Sequence, residues 1–324
     1  MKLAVLGVTG AVGRTMLQVL DERGFRADEL VPLASERSAG EPVRWRERDW
    51  LIRAPSPDAF DGCSVALFSA GAERSREWAP VAAERGAVVI DNSSAWRLNP
   101  SVPLVVPEVN GAAVGVRPLN IIANPNCSTI QMVVALEAVR RAAGLRRVVA
   151  STYQSVSGAG QEGIDALRAE LGGATSSASP FAAPIAGNAI PRIGALDADG
   201  WTDEEEKMRS ETRKILGLAE LPVAATCVRV PVEIGHCVAV TVETEQEVVL
   251  DEVRTALRSM PGVCLVEDRE PLPREVAGSD AVLVGRLRSD RDLPRTLHFW
   301  VVADNLRKGA ATNAVQIAER LKGD

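Results

Sequence analysis

Few local patterns commit a chain to a fold as firmly as the opening KLAVLGVTGAVG. An apolar run, Lys2 to Val8, is delivered through Gly7, Gly10 and Gly13 into a helical pattern from Val12 to Arg23. A strand that turns straight into a helix comes back as a parallel neighbour, since an antiparallel return needs only a short turn. The alternation continues in ELVPLAS (Glu29 to Ser35), SVALFSA (Ser64 to Ala70), AVVIDNS (Ala87 to Ser93) and PLNIIAN (Pro118 to Asn124), with a helical pattern around Arg74 to Arg85. These runs predict an α/β fold, a parallel doubly wound sheet over the N-terminal part. The glycine spacing is neither the strict GxGxxG fingerprint nor a P-loop, which needs a lysine before its Ser/Thr. Glycines at this place serve a tight turn, and equally let a pyrophosphate approach the N–H groups of a helix start.

The cluster SERSAGE, Ser35 to Glu41, follows the second strand. An acid there would hold the ribose hydroxyls of NAD, and an arginine the 2′-phosphate of NADP. Glu36 and Arg37 are both present, and Arg37 between Ser35 and Ser38 favours the phosphate and NADP over a merely solvated loop.

After Gly144 the texture changes. RRVVASTYQSV, LPVAATCVRVPVEIGHCVAVTVET and DAVLVGRLRSDRDLPRTLHFWVVAD read as longer strands, separated by helical stretches at Ile164–Leu171, Asp203–Leu216 and Leu250–Met260. That is α+β texture, a mixed sheet with helices on one side. The stretch Gly172 to Asn188 is expected to be an ordered loop, and a last helix spans about Ala310 to Leu321. A length of 324 residues allows about two domains, and a net charge of -6 offers no footprint for nucleic acid or a membrane surface. No apolar stretch approaches the roughly 18 residues of a membrane span. Five scattered cysteines without a CxxC pair indicate neither a disulfide framework nor a metal cluster, and point to a reducing, cytoplasmic setting.

The chemistry is concentrated in NIIANPNCSTIQMVVALEAVRRAAG, Asn120 to Gly144. Asn124-Pro125-Asn126 is turn chemistry, and Ile130, Val133, Val134, Leu136, Ala138 and Val139 recur with helical spacing, so Cys127 stands at a helix N-terminus. Unpaired N–H groups and the positive end of the helix dipole favour a thiolate there. A buried structural cysteine is the alternative. The chain has two histidines. His298, in TLHFWVVA, reads as a packed sheet residue; His236 follows Gly235 at the end of a turn, and a helix-tip thiol with one imidazole suffices for acyl chemistry through a thioester.

Taken in order, GVTGAVG, LASERSAG, FSAG, DNSSAWR, PLVVPEVN, ANPNCSTIQ, TYQSVSGAG, PIAGNAIPRI, RVPVEIGH and DNLRKGAATNAVQIAE resemble the aspartate-semialdehyde dehydrogenase family nearly end to end. The resemblance implies NADPH-dependent reduction of β-aspartyl phosphate to aspartate β-semialdehyde with release of inorganic phosphate, on the route to lysine, threonine and methionine. It implies a discontinuous Rossmann-type NADP domain, 1–126 with 304–324, and a catalytic and dimerisation domain, 127–303, in a homodimer. By it Cys127 is the nucleophile, Gln154 orients the intermediate and His236 is the acid/base. Arg229 clamps the substrate α-carboxylate; Arg97, Asn126 and Lys207 hold phosphate; Glu204 faces the substrate amine; Ser157 and Gly158 line the site. Cofactor contacts fall on Gly7, Thr9, Gly10, Ala11, Val12, Gly13, Ser35, Arg37, Ser38, Ala70, Gly71, Asn92 and, near the nicotinamide, Asn305. Backbone N–H groups of the Cys127 helix are expected to hold the oxyanion. Two departures stand out. Glu41 occupies a place where many members carry lysine, adding negative charge near a 2′-phosphate, and AIPRIG differs from the more usual IPxID.

Two rivals share parts of this pattern. An N-acetyl-glutamyl-phosphate reductase uses the same architecture and cysteine chemistry, but its acylated amine leaves Glu204 little to hold. A non-catalytic NADP sensor explains the glycine turn and leaves Cys127, Gln154 and His236 unexplained.

Overall fold

The computed structural model describes residues 1–174 and 179–321, so residues 175–178 of the expected loop lie outside it. The chain divides into two units: Met1–Pro125 with the segment from Ala310, and Asn126–Gly309. The first contains strands β1 (Lys2–Leu6), β2 (Glu29–Leu33), β3 (Pro42–Trp45), β4 (Arg48–Leu51), β5 (Cys63–Phe68), β6 (Val88–Asp91) and β7 (Ile121–Ala123). Five of them form one sheet in the order β2-β1-β5-β6-β7, every pair parallel. This is the doubly wound, Rossmann-type arrangement that the alternation predicted.

Strand alternation assigns the two faces. Leu3, Val5, Leu67, Ile90 and Ile122 lie in one core with Met16 and Leu20 of the helix Ala11–Glu22 and Val315 and Ile317 of the helix Thr312–Arg320. Each such aliphatic side chain contributes about 1.5–3 kcal/mol when fully buried. Phe68, of opposite parity on β5, stacks with Phe60, which in turn meets Trp78 of the helix Ala72–Glu84. The hairpin β3–β4 is unannounced in the sequence. It turns at Arg46, with φ +54°, instead of at the glycine or asparagine such turns prefer. Trp45 Nε1 donates to Leu17 O at 3.1 Å and pins it to the first helix.

The second unit contains β8 (Arg147–Gln154), β9 (Val223–Arg229), β10 (His236–Glu243), β11 (Val263–Val266), β12 (Val282–Ser289) and β13 (Thr296–Ala303). They form a mixed sheet in the order β11-β12-β13-β10-β8-β9, with β8–β9 and β11–β12 parallel and the other pairs antiparallel. The Cys127 helix, Cys127–Ala143, packs on β10 and β13 and is buried on nearly every side from Ser128 to Val139. It ends at Gly144, whose φ of +71° no β-carbon residue adopts cheaply. His298 lies within β13, its ring bonded to Thr241 Oγ1 (2.9 Å) and Asp290 Oδ2 (2.8 Å). In the loop after Leu171, Phe181 and Ile185 pack on Val156 and Leu167, and Glu170 Oε2 accepts the N–H groups of Ile185 and Ala186.

One carboxylate inside the Cys127 helix makes stability depend on pH. Glu137, 2% exposed, takes bonds from Arg140 (2.6 Å) and Arg141 (2.8 Å). Burial pushes its carboxyl up, but the hydrogen bonds and charges of the two arginines hold it below the ordinary value of 4.5. A depressed carboxylate stabilises the fold above its unfolded-state value, and that contribution disappears as pH falls through the folded one. Because both arginines are half-exposed the effect is about 1 kcal/mol. Denaturant unfolding should show Glu137→Gln less stable than the wild type at pH 7, with the gap closing as pH drops well below 4.5. A gap independent of pH would refute the charge account.

No helix among the described residues is long and apolar enough to cross a membrane.

Candidate active site

Asn126 stands in extended backbone immediately before the helix and caps it: its Oδ1 accepts the N–H groups of Ser128 (3.0 Å) and Thr129 (3.2 Å). Its Nδ2 donates to Glu204 Oε1 (2.8 Å) and its backbone N–H to Glu211 Oε2 (2.6 Å). The residue in front of the cysteine is thus held by its own helix and by two carboxylates. Of the first-turn amides expected to hold the oxyanion, those of Ser128 and Thr129 are engaged by the cap. Cys127 is half-buried, and the chain can pass it at Gly309 only because a β-carbon there would come within 2.9 Å of Cys127 Cβ.

Both carboxylates come from the helix Asp203–Leu216, where residues 204, 207 and 211 share a face at helical spacing. Thr202 and Glu205 form a complete capping box at its start, the pairing that a threonine three residues before a glutamate specifies in TDEE. Glu204, 6% exposed, also accepts from Gln154 Nε2 (3.1 Å) and pairs with Lys207 (3.3 Å). Burial raises its carboxyl, yet Lys207, the amides of Asn126 and Gln154, and the charge of Arg229 bring it below the ordinary value. These partners favour its charged form despite the burial.

The next residue along β8 joins this network to the remaining two. The Ser155 N–H donates to His236 Nδ1 at 3.0 Å, and its carbonyl accepts from Arg229 Nη1 at 2.6 Å. Its Oγ donates to Asn305 Oδ1 at 2.9 Å. Asn305 also accepts the Gly235 N–H (3.0 Å) and donates to Ser157 Oγ (2.9 Å). His236 is fully buried, and burial, then the Arg229 charge, keep its pKa well below the ordinary 6.5. Its Nε2 has no partner among the described residues. Burial lowers the pKa of Arg229 against the opposing pull of Glu204, Cys127 and Cys227. Arg229 also borders a cavity of about 440 Å³ with Ala159, Phe181, Ile190 and Arg192. Gly158 keeps the space between the two: a β-carbon there would lie 2.6 Å from Arg229 Nη1 and 3.2 Å from His236 Nε2. Gln131, one turn after Cys127, donates to the His236 carbonyl at 3.2 Å.

In the first unit a cavity of about 810 Å³ is lined by Gly7, Thr9, Gly10, Ser35, Arg37 and Ala70, with Arg74 and Trp78 from the helix Ala72–Glu84. Gly7 has φ +86°, and a β-carbon on Gly13 would lie 2.2 Å from Gly7 O, so the turn tolerates neither side chain. The size, the glycine wall and the two guanidinium groups suit a phosphorylated dinucleotide. Ala11, Val12 and Gly13 begin the adjoining helix, while Ser38, Gly71 and Asn92 lie outside the lining. Arg97, 8% exposed, donates from Nε to Asn124 O (3.0 Å) and from Nη2 to Asn92 O (2.9 Å).

The sequence had not singled out Ser155, Glu211, Gln131, Arg74 or Trp78. Of these only Glu211 carried a usable signal, its spacing of seven from Glu204 on one helix face.

Comparison with known proteins agrees along the whole length. Residues 2–116 match the semialdehyde dehydrogenase NAD binding domain, and residues 136–308 the semialdehyde dehydrogenase dimerisation domain. The chain is 50% identical to the aspartate-semialdehyde dehydrogenase of Aquifex aeolicus over 331 residues, 99% of this chain and 97% of that one. It is 46% identical to that of Bacillus subtilis over 336 residues, 99% and 97% of the two chains. Among solved structures, aspartate semialdehyde dehydrogenase II from Vibrio cholerae complexed with ASA superposes with a TM-score of 0.97 at 48% identity, covering 100% of this chain and 98% of that one. The Candida albicans enzyme with NADP gives 0.77 at 25% identity, covering 99% and 98%. With near-complete coverage at half identity and both family domains in order, the chain belongs to the aspartate-semialdehyde dehydrogenase family.

Proposed function

We propose that the protein converts L-β-aspartyl phosphate to L-aspartate β-semialdehyde with NADPH, releasing inorganic phosphate, in the biosynthesis of lysine, threonine and methionine. It works in the cytoplasm as a homodimer, with the first unit as NADP-binding domain and the second as catalytic and dimerisation domain. The observation that carries this reading is the single network in the second unit that binds the residue before Cys127 to Glu204, Gln154 and, through Ser155, to Arg229 and His236.

Each member answers to one part of the substrate. The Cys127 thiolate attacks the acyl phosphate carbonyl and forms a thioester as phosphate departs. The buried Arg229 fork suits an α-carboxylate, and the anionic Glu204 suits the α-ammonium. Lys207, paired with Glu204 but one-third exposed, offers a cation for phosphate, a role the family resemblance also gives to Arg97. Asn126, occupied as cap and as donor to Glu204, positions more than it binds. The glycine turn would hold NADPH, with Ser35 and Arg37 serving its 2′-phosphate, and the cofactor would supply the hydride for the thioester. His236 serves the reacting oxygen.

The test runs the reaction backward, following NADP⁺ reduction with aspartate β-semialdehyde and, separately, N-acetylglutamate semialdehyde. Turnover of the first alone, and only with phosphate present, is the expected result. Turnover of the second alone would overturn the assignment and leave Glu204 without an ammonium to hold.

A further inference from the structure

The imidazole of His236 has two nitrogens in very different company. Nδ1 lies 3.0 Å from the Ser155 backbone nitrogen, whose N–H points at it, and 3.0 Å from Ser155 Oγ. A backbone N–H can only donate, so the nitrogen it meets must offer a lone pair. The Ser155 hydroxyl has its own acceptor in Asn305 Oδ1, which also takes the Gly235 N–H. A proton on Nδ1 would therefore collide with a donor that cannot turn away. Nε2, by contrast, is completely buried and without any partner among the described residues, a condition that is costly unless something else meets it. On that side the neighbour is Gly158, whose missing side chain leaves room beside Nε2.

We propose that Ser155 is a positioning residue whose backbone N–H locks His236 in the Nε2–H tautomer, so that the ring meets the substrate's oxyanion as a hydrogen-bond donor. This rests on the reaction assigned above. Proton bookkeeping for that reaction agrees. Two oxyanions form on the same carbon, the first when the Cys127 thiolate adds to the acyl phosphate, the second when the thioester is reduced. The first collapses by re-forming C=O and breaking the bond to phosphate, the second by re-forming C=O and expelling the thiolate. Neither collapse requires the oxygen to gain or lose a proton. The one proton that the overall reaction consumes comes from solvent and ends on the departing phosphate. A neutral N–H donor is thus sufficient at both stages, and it fills the place left by the Ser128 and Thr129 amides, which the Asn126 cap engages.

The same residue carries a second duty. Its carbonyl accepts from Arg229 at 2.6 Å, so one peptide unit on each side of Ser155 Cα fixes the imidazole and the guanidinium together. Arg229 also discourages a second proton on the ring, since two cations would then face each other without solvent.

The test is a nitrogen NMR spectrum of the substrate-free protein with labelled histidine. His298→Gln leaves His236 as the sole imidazole of the chain. Two-bond nitrogen–proton correlations then read the tautomer directly. An Nε2–H pattern near neutral pH is the expected result; an Nδ1–H pattern or a doubly protonated ring overturns the proposal. Should His298→Gln fail to fold, the wild type still shows only two imidazoles, and the spectrum of His236→Gln assigns them. Ser155→Ala separates backbone from side chain. The Nε2–H pattern should persist, because the N–H remains, and its loss would overturn the backbone lock. Since no substrate is present, an Nε2–H pattern beside a failed turnover assay upholds the tautomer and sinks the assigned reaction.

Discussion

Cys127→Ser should fold, retain NADPH binding and lose about 10⁴- to 10⁶-fold in turnover, the scale of removing a covalent nucleophile. Folding should survive because the side chain is only half-buried and the helix start is held by Asn126, Glu204 and Glu211 instead. Cofactor binding should survive because the glycine-turn cavity is formed by residues of the other unit. A hydroxyl at this place is a far weaker nucleophile than a thiolate and gains little from the helix terminus. Steady-state kinetics together with a cofactor titration check both halves. Turnover within tenfold of the wild type would exclude a thioester intermediate, whatever the fate of binding.

The second large effect comes from one methyl group. Gly158→Ala places a β-carbon 2.6 Å from Arg229 Nη1 and 3.2 Å from His236 Nε2. The backbone itself accepts alanine, since Gly158 lies in the 3-10 turn Val156–Ala159 with no positive φ, so stability should change by less than about 1 kcal/mol. What must move is the guanidinium, and with it the donor geometry on both sides of Ser155. A misplacement of that size costs about 10²-fold in kcat/KM. Thermal unfolding and kinetics on the same preparation separate the two. A variant with unaltered kcat/KM would mean that the described arrangement of Arg229 and His236 is not the working one.

Much of the fold was legible because buried strands and amphipathic helices advertise themselves through periodicity. Lys2–Leu6, Glu29–Leu33 and Cys63–Phe68 are short apolar runs between turn residues, and each became a strand of the parallel sheet. Thr202 and Glu205 announced a capping box for the same reason: the physics is local and carried by side chains. The hairpin at Arg46 was illegible because its turn lacks the customary residues. Within the site, chemically loud side chains such as Cys127, His236 and Arg229 were nameable, largely through family resemblance. Ser155 was not, because it acts through its N–H and C=O, groups that every residue except proline has. Asn126, which the family resemblance names as a phosphate holder, is also the helix cap, through an extended backbone that no residue letter records. Asn305, anticipated near the nicotinamide, has its amide among Ser155, Ser157 and Gly235.

That a single residue steadies both Arg229 and His236 has a consequence for how such a site can change over time. Widening the carboxylate clamp to admit a longer acid would drag the imidazole out of line with the carbon it serves. Recognition and reactivity here share one hinge pin, so a lineage could acquire a new substrate without losing rate only by altering groups that do not hang from Ser155, such as Phe181 or Arg192 in the lining of the Arg229 cavity.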